Sequence, residues 1–235
     1  MDESMWERYG AAAGIIFVVL LMLTLFLAPQ PPHVDAATAK IAAYYAGHRR
    51  AILAEQMFGT FAIVFFVWFA GHLRHVLQRA ENGTEALSPI VFGAAVALAG
   101  AGALAALPAA TLAFAAHRPE VIGDAGLVRA LYDMYLMVGN VLLIMCGLFV
   151  AATAAAMVRG ELGESWLGWA GMAVAIVDWV GGGAGFFVST YSAFWTAVGL
   201  VGFLGFAAFV LVAAAAMVRQ PEVSRSAAPR PVFGH

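Results

Sequence analysis

The chain has 235 residues, 63% of them hydrophobic and 11% charged, with a formal net charge of −2 and a mean hydropathy of +0.87. This composition excludes a soluble domain on a single anchor and points to a multi-pass membrane protein. The basic residues sit at segment ends without forming a run, so nucleic acid has no footprint here, and Cys146, the only cysteine, permits neither a disulfide nor a thiolate metal site. Within its apolar segment Cys146 reads as a buried, inert thiol.

The opening MDESMWERYG is more acidic than basic and LAPQPPH offers no small-residue cleavage site, so the first span, 11–28, is expected to be retained as a helix. Pro29, Pro31 and Pro32 stop it. Asp35 is then expected to cap an amphipathic helix over 36–47, whose Ile41, Tyr44 and Tyr45, with His48 beyond, suit an interfacial position over the mouth of a bundle. The second span, 51–71, follows Arg49 and Arg50 and places Glu55 and Gln56 about 6 Å inside. It closes at HLRHVLQR. There His72 and His75 could face a metal, but beside Arg74 they read as a juxtamembrane basic cluster. The link 80–88 contains Asn82-Gly83-Thr84, an acceptor pattern without meaning in a cytoplasmic turn.

The third span, 89–114, carries a small-residue packing stripe of Gly93, Ala97 and Gly100, and Pro108 is expected to kink it. After the link 117–129, the fourth span, 131–158, sets Asp133, Met137 and Asn140 on one face as a polar stripe entering the bilayer. The fifth, 167–188, is apolar throughout except for Asp178 in its middle. An acid there costs about 2.5–3.5 kcal/mol on insertion scales unless it faces a partner or a cavity. Gly171, Val174, Ala175, Gly181, Gly182 and Gly185 share its face, so the acid points inward, toward a close helix or a ligand. A tight turn at 189–192 leads to the sixth span, 194–218, and 219–235 reads as a disordered cytoplasmic tail.

The expected fold is therefore all-α: an integral membrane helical bundle of about six transmembrane helices plus one interfacial helix after the first, in a single domain over 1–218. Arg8, Arg74, Arg79, Arg159, Arg219, Arg225 and Arg230 fall on one side, against Lys40, Arg49, Arg50, Arg118 and Arg129 on the other. Seven against five favours a cell-membrane protein with both termini cytoplasmic. FVAATAAAMVR at 149–159 and FVLVAAAAMVR at 209–219 are alike, through an internal duplication or through Ala-rich composition.

With that topology Glu55, Gln56, Asp133, Asn140 and Asp178 fall between the outer interface and mid-membrane, near Tyr132, Tyr135, Trp179 and Tyr191 in depth. They could share one mostly apolar cavity, with Asp178, Glu55 and Asp133 as candidate catalytic acids and the amides and aromatics as substrate-binding groups. The alternatives are structural: Glu55 and Asp133 near helix starts could meet the dipole or Arg49, Arg50 or Arg129, and Asp178 could bond Asn140 or a tyrosine. Haem ligation needs histidines within two helices and a retinal Schiff base needs a lysine inside the bundle. Intramembrane serine hydrolysis needs a paired Ser and His, and metal-dependent prenyl transfer needs clustered Asp. None of these patterns is present, so no metal and no cofactor is expected.

Acid chemistry remains. Desolvation disfavours the ionised form of a carboxyl, which makes Asp178 or Glu55 a candidate Brønsted acid toward an alkene or epoxide, with aromatic faces to stabilise a carbocation. In size, and in Glu55 early in the second span with Asp178 late in the chain, the sequence resembles small integral-membrane terpene cyclases, a resemblance that implies metal-independent cyclisation or isomerisation of an isoprenoid-like substrate. DAATAKIAAYYAGHRRAIL resembles small bacterial multi-pass proteins of the DUF4386-like type over about the first third of the chain, which implies no activity. Beside the cyclase stand two other expectations: a proton-coupled transporter, with Asp178 carrying the proton and Gly181 to Gly183 as hinge, and a scaffold subunit docking through its small-residue stripes. The expected partners are the lipid bilayer, a hydrophobic small molecule, and a second copy packed through Gly and Ala faces.

Overall fold

The computed structural model describes residues 3–81, 86–160, 162–187 and 193–219, and all regular structure among them is helical. Eight helices follow in order: α1 (Glu3–Leu27), α2 (Thr38–Gly47), α3 (Arg49–Ala80), α4 (Ser88–Ala115), α5 (Pro119–Ile122), α6 (Ala125–Val158), α7 (Ser165–Ala184) and α8 (Ala193–Arg219). Six of them, all but α2 and α5, are long and apolar enough to cross a membrane, and they make this a multi-pass membrane protein.

The six spans close into a ring in which α1 packs on α3, α3 on α4, α4 on α6, α6 on α7, α7 on α8, and α8 back on α1. Apolar side chains gain nothing by leaving lipid for a neighbouring helix, so close packing has to hold the ring. Phe17, Phe66, Phe149 and Phe206, from four different spans, meet at its centre with ring centroids 4.9 to 6.3 Å apart. Such pairs contribute about 0.5–1.5 kcal/mol each beyond their burial. Glycine brings backbones together elsewhere: a Cβ on Gly14 would lie 2.8 Å from the Phe69 ring, and one on Gly168 the same 2.7 Å from the Ala154 carbonyl oxygen and the Val158 nitrogen. The Gly93, Ala97 and Gly100 stripe of α4 instead points out of the ring, with nothing within 4 Å of a Cβ at Gly93 or Gly100.

Helix ends depart from the hydropathy reading where side chains, not apolarity, decide them. The fourth span starts six residues earlier than expected, because Asp124 caps α6 by accepting the Leu127 N–H at 3.0 Å. The second continues through HLRHVLQR to Ala80, and α4 runs unbroken through the buried Pro108. Asp35 does not cap α2, which begins at Thr38 without a side-chain cap; its carboxylate pairs with His33, and this hydrogen bond holds the Asp35 carboxyl below its ordinary range. Gly160 ends α6 in the left-handed region at φ 78°, where glycine carries no Cβ penalty. The turn expected at 189–192, the tail 220–235 and Asn82-Gly83-Thr84 lie outside the described residues.

Glu81, just beyond α3, ties that helix to the start of α4. Its carboxylate accepts the Ser88 hydroxyl at 2.7 Å and the N–H groups of Leu87 and Ser88. Burial alone would raise its pKa, but these hydrogen bonds outweigh burial and hold the carboxyl below the ordinary range. A folded value below the unfolded one means that the stabilisation is complete above the unfolded value, about 4.3, and is lost as pH falls through the folded value. Glu81→Gln is expected to cost about 1 kcal/mol at pH 7, as for a lost cap, and to flatten the fall of melting temperature on the acid side. Acid melting profiles of the same slope in both proteins would contradict this.

Candidate functional site

The face that α7 buries is Gly168, Gly171, Ala175, Asp178 and Gly182, at alternating spacings of three and four. Gly168 and Gly182 lie against the α6 backbone and Gly171 against the Phe209 ring of α8, so only small residues fit and the acid is drawn into the seam with them. Val174 and Gly181 sit beside this stripe, facing Gly205 and the pair Leu143 and Val198 respectively. Asp178 is completely buried, and neither carboxylate oxygen has a hydrogen-bond partner among the described residues. A Cβ on Gly202 of α8 would lie 2.3 Å from Oδ1, with Leu143 of α6 at its other side, and the Cys146 thiol is within electrostatic range. The acid thus sits where α6, α7 and α8 meet. The glycine at position 202 is what makes room for it.

The bond to Asn140 or to a tyrosine, the structural alternative for Asp178, is not made among the described residues. The Asn140 side chain lies against Gly185, seven residues or about 10 Å along α7 from Asp178. Trp179 turns the other way: its indole Nε1 donates to the Ile144 carbonyl at 3.2 Å, and its ring covers Gly147, with 40% of the residue exposed on the outer surface. It fastens α7 to α6 rather than lining a cavity around the acid.

A second polar group gathers at the other side of the ring, under α2. Tyr45 and Tyr132 are buried edge to face with centroids 6.4 Å apart, and Tyr132 stacks on Tyr135 at 6.0 Å. Ile41, Ile52, Leu112 and Val128 complete this small core, which holds α2 as a lid over the ends of α3, α4 and α6. The lid is pinned from below. The Tyr44 hydroxyl donates to the Pro29 carbonyl at 2.6 Å, the Tyr132 hydroxyl to that of Pro32, and Arg129 Nη1 to that of Ala36 at 3.4 Å. Burial, with the Glu55 charge nearby, pushes the Tyr44 phenol up to about 12, so it remains a donor throughout the physiological range; burial pushes Tyr45 further the same way.

Glu55 is half-buried beneath this lid, within electrostatic range of Tyr44, Tyr45 and Tyr135, and accepts from Gln56 Nε2 at 3.3 Å. Neither Arg49 nor Arg50 forms an ion pair with it among the described residues. Asp133 is committed elsewhere: it binds Arg129 at 2.9 Å one turn earlier and, with its side chain 47% exposed, steadies the arginine that holds the lid loop.

The acids do not share one cavity. Helices α3 and α7 stand on opposite sides of the ring. Along α6, Tyr135 of the Glu55 group and Leu143 beside Asp178 are eight residues, or about 12 Å, apart. Glu55, Gln56, Tyr132 and Tyr135 are gathered under the lid with Asp133 at its rim, whereas Asp178 lies in the α6–α7–α8 seam and Tyr191 lies outside the described residues. Gly202 was missed by the sequence reading, although Gly199, Gly202 and Gly205 at intervals of three were visible as a small-residue stripe on the sixth span. No three His, Cys, Asp or Glu side chains among the described residues are placed to hold a metal ion. No protein family, curated protein or solved structure matches this chain.

Proposed function

We propose that the protein is a proton-coupled transporter of the cell membrane in which Asp178 takes up and releases the coupled proton. The observation that carries this reading is a fully buried carboxyl within a membrane span that has no partner among the described residues. A structural acid would be paired, because an unpaired one costs several kcal/mol and returns nothing to the fold. Intramembrane acids mark substrate and ion pathways, proton relays among them. Access would come by movement at the glycine-lined α7–α8 seam, where Gly202 and Gly205 seat Asp178 and Val174. Both termini face the cytoplasm in this reading, supported by the seven-to-five excess of arginine and lysine on that side.

The test is reconstitution into liposomes with a trapped pH-sensitive dye, under an imposed proton gradient and a panel of small solutes. At least one solute is expected to speed collapse of the gradient with wild-type protein and to have no effect with Asp178→Asn. Equal rates for the two proteins would refute the proposal.

One observation favours a second reading, the acid-catalysed cyclase or isomerase of a hydrophobic isoprenoid-like substrate that the likeness to membrane terpene cyclases implies. Glu55 lies half-buried beneath a lid and among three tyrosines, an acid beside aromatic faces. Glu55 would act there without Asp178. Loss of isoprenoid turnover in Glu55→Gln, with Asp178→Asn unaffected, would support it; activity retained in Glu55→Gln would exclude it.

A further inference from the structure

A concavity near the end of α3 lies away from both acids. It is a groove of about 840 Å³ across the outer face of that helix, bounded on the α4 side by Phe92. Its walls are sharply divided by chemistry. Ile63, Val64, Val67 and Trp68 make an apolar stretch, and past Gly71 the groove ends at His72 and His75. From Ile63 to His75 is about 18 Å along the helix, the length of an extended acyl segment. The imidazole of His72 is ordered at this end: it stacks on Trp68 with centroids 6.1 Å apart, and its Nδ1 donates to the Trp68 carbonyl at 3.1 Å.

Arg74 adds a permanent charge. Its guanidinium lies over the Phe92 ring at 5.3 Å, and its Nε is buried without a hydrogen-bond partner among the described residues. None of the groove-lining residues is acidic. A cation that is held over an aromatic ring bordering the groove, with no acid paired to it among the described residues, complements one kind of ligand: an amphiphile with an anionic head.

We propose that this groove is a binding site for an anionic phospholipid, its phosphate at Arg74, His72 and His75 and one acyl chain along Ile63, Val64, Val67 and Trp68. Basic pockets between transmembrane helices hold acidic lipid head groups in this way. The site is independent of proton coupling at Asp178, which lies on the far side of the ring.

Two substitutions separate head from tail. A Cβ at Gly71 has nothing within 4 Å, so Gly71→Leu fills the groove without disturbing the ring, while Arg74→Gln keeps the stem and removes the charge. Gly100→Leu, at an equally open position on the outer face of α4, is the control. The full chain in detergent is offered phosphatidylglycerol and phosphatidylcholine of identical chains, and retained lipid is counted by native mass spectrometry. Wild type and Gly100→Leu are expected to retain phosphatidylglycerol about fivefold better, the ratio that one basic side chain supplies near an anionic surface. Arg74→Gln should bring that ratio close to one, and Gly71→Leu should lower retention of both lipids. Equal retention of the two lipids by wild type, or an unchanged ratio in Arg74→Gln, would overturn the proposal. So would a dimer that Gly71→Leu dissociates with no lipid preference, since the groove would then belong to a second copy of the chain.

Discussion

Asp178→Asn is expected to abolish proton coupling while leaving the bundle at least as resistant to heat as wild type. The two halves of this result come from the same feature. Breaking a buried ion pair or a hydrogen-bonded acid costs about 3–5 kcal/mol, because the partner is left uncompensated. Asp178 has no such partner among the described residues, and an amide of the same size fits the space that Gly202 and Leu143 leave for the carboxyl. No partner is therefore left uncompensated by the change, yet the group can no longer exchange a proton. Thermal unfolding in detergent, run beside the liposome assay, reads both halves. A destabilisation of about 3 kcal/mol would mark Asp178 as a paired structural acid and remove the basis for its proposed role.

The largest structural effect is expected from Gly182→Leu. A Cβ there would lie 2.8 Å from the Asn140 carbonyl oxygen and 3.1 Å from the Ile144 nitrogen. Both are backbone atoms of α6 and cannot rotate aside, so α7 would have to withdraw along its length. Overpacking of this kind costs about 1–3 kcal/mol when side chains can yield, and the upper end or more applies where they cannot. Gly183→Leu is expected to be close to neutral, since its neighbour position opens onto empty space. The contrast between adjacent glycines tests the rotation of α7, on which the placement of Asp178 depends. Equal melting temperatures for the two variants would mean that α7 is turned differently.

Fold class was legible because hydropathy and backbone satisfaction in lipid leave few alternatives, and the lid helix because Pro29 to Pro32 separate it cleanly from the first span. Helix ends were less so, since Asp124 caps α6 at a position where apolarity gives no signal. The singular position of Asp178 could be read from one charge in an apolar stretch, and its glycine face from a spacing of three and four. Which helices that face would meet could not. Ring order and rotation are set by packing between distant segments, so residues equal in depth, such as Glu55 and Asp178, were placed together in the reading and stand on opposite sides in the fold. The fate of Asp133 was closer to hand, because Arg129 lies one turn before it.

The central claim is that the Asp178 carboxyl binds a proton reversibly inside the membrane. The most direct measurement is the pH-induced infrared difference spectrum of the protein in nanodiscs, wild type against Asp178→Asn. The account predicts a carboxyl C=O band that rises and falls reversibly with pH in wild type and is missing from the variant. Identical difference spectra over the pH range in which the bundle stays folded would contradict it.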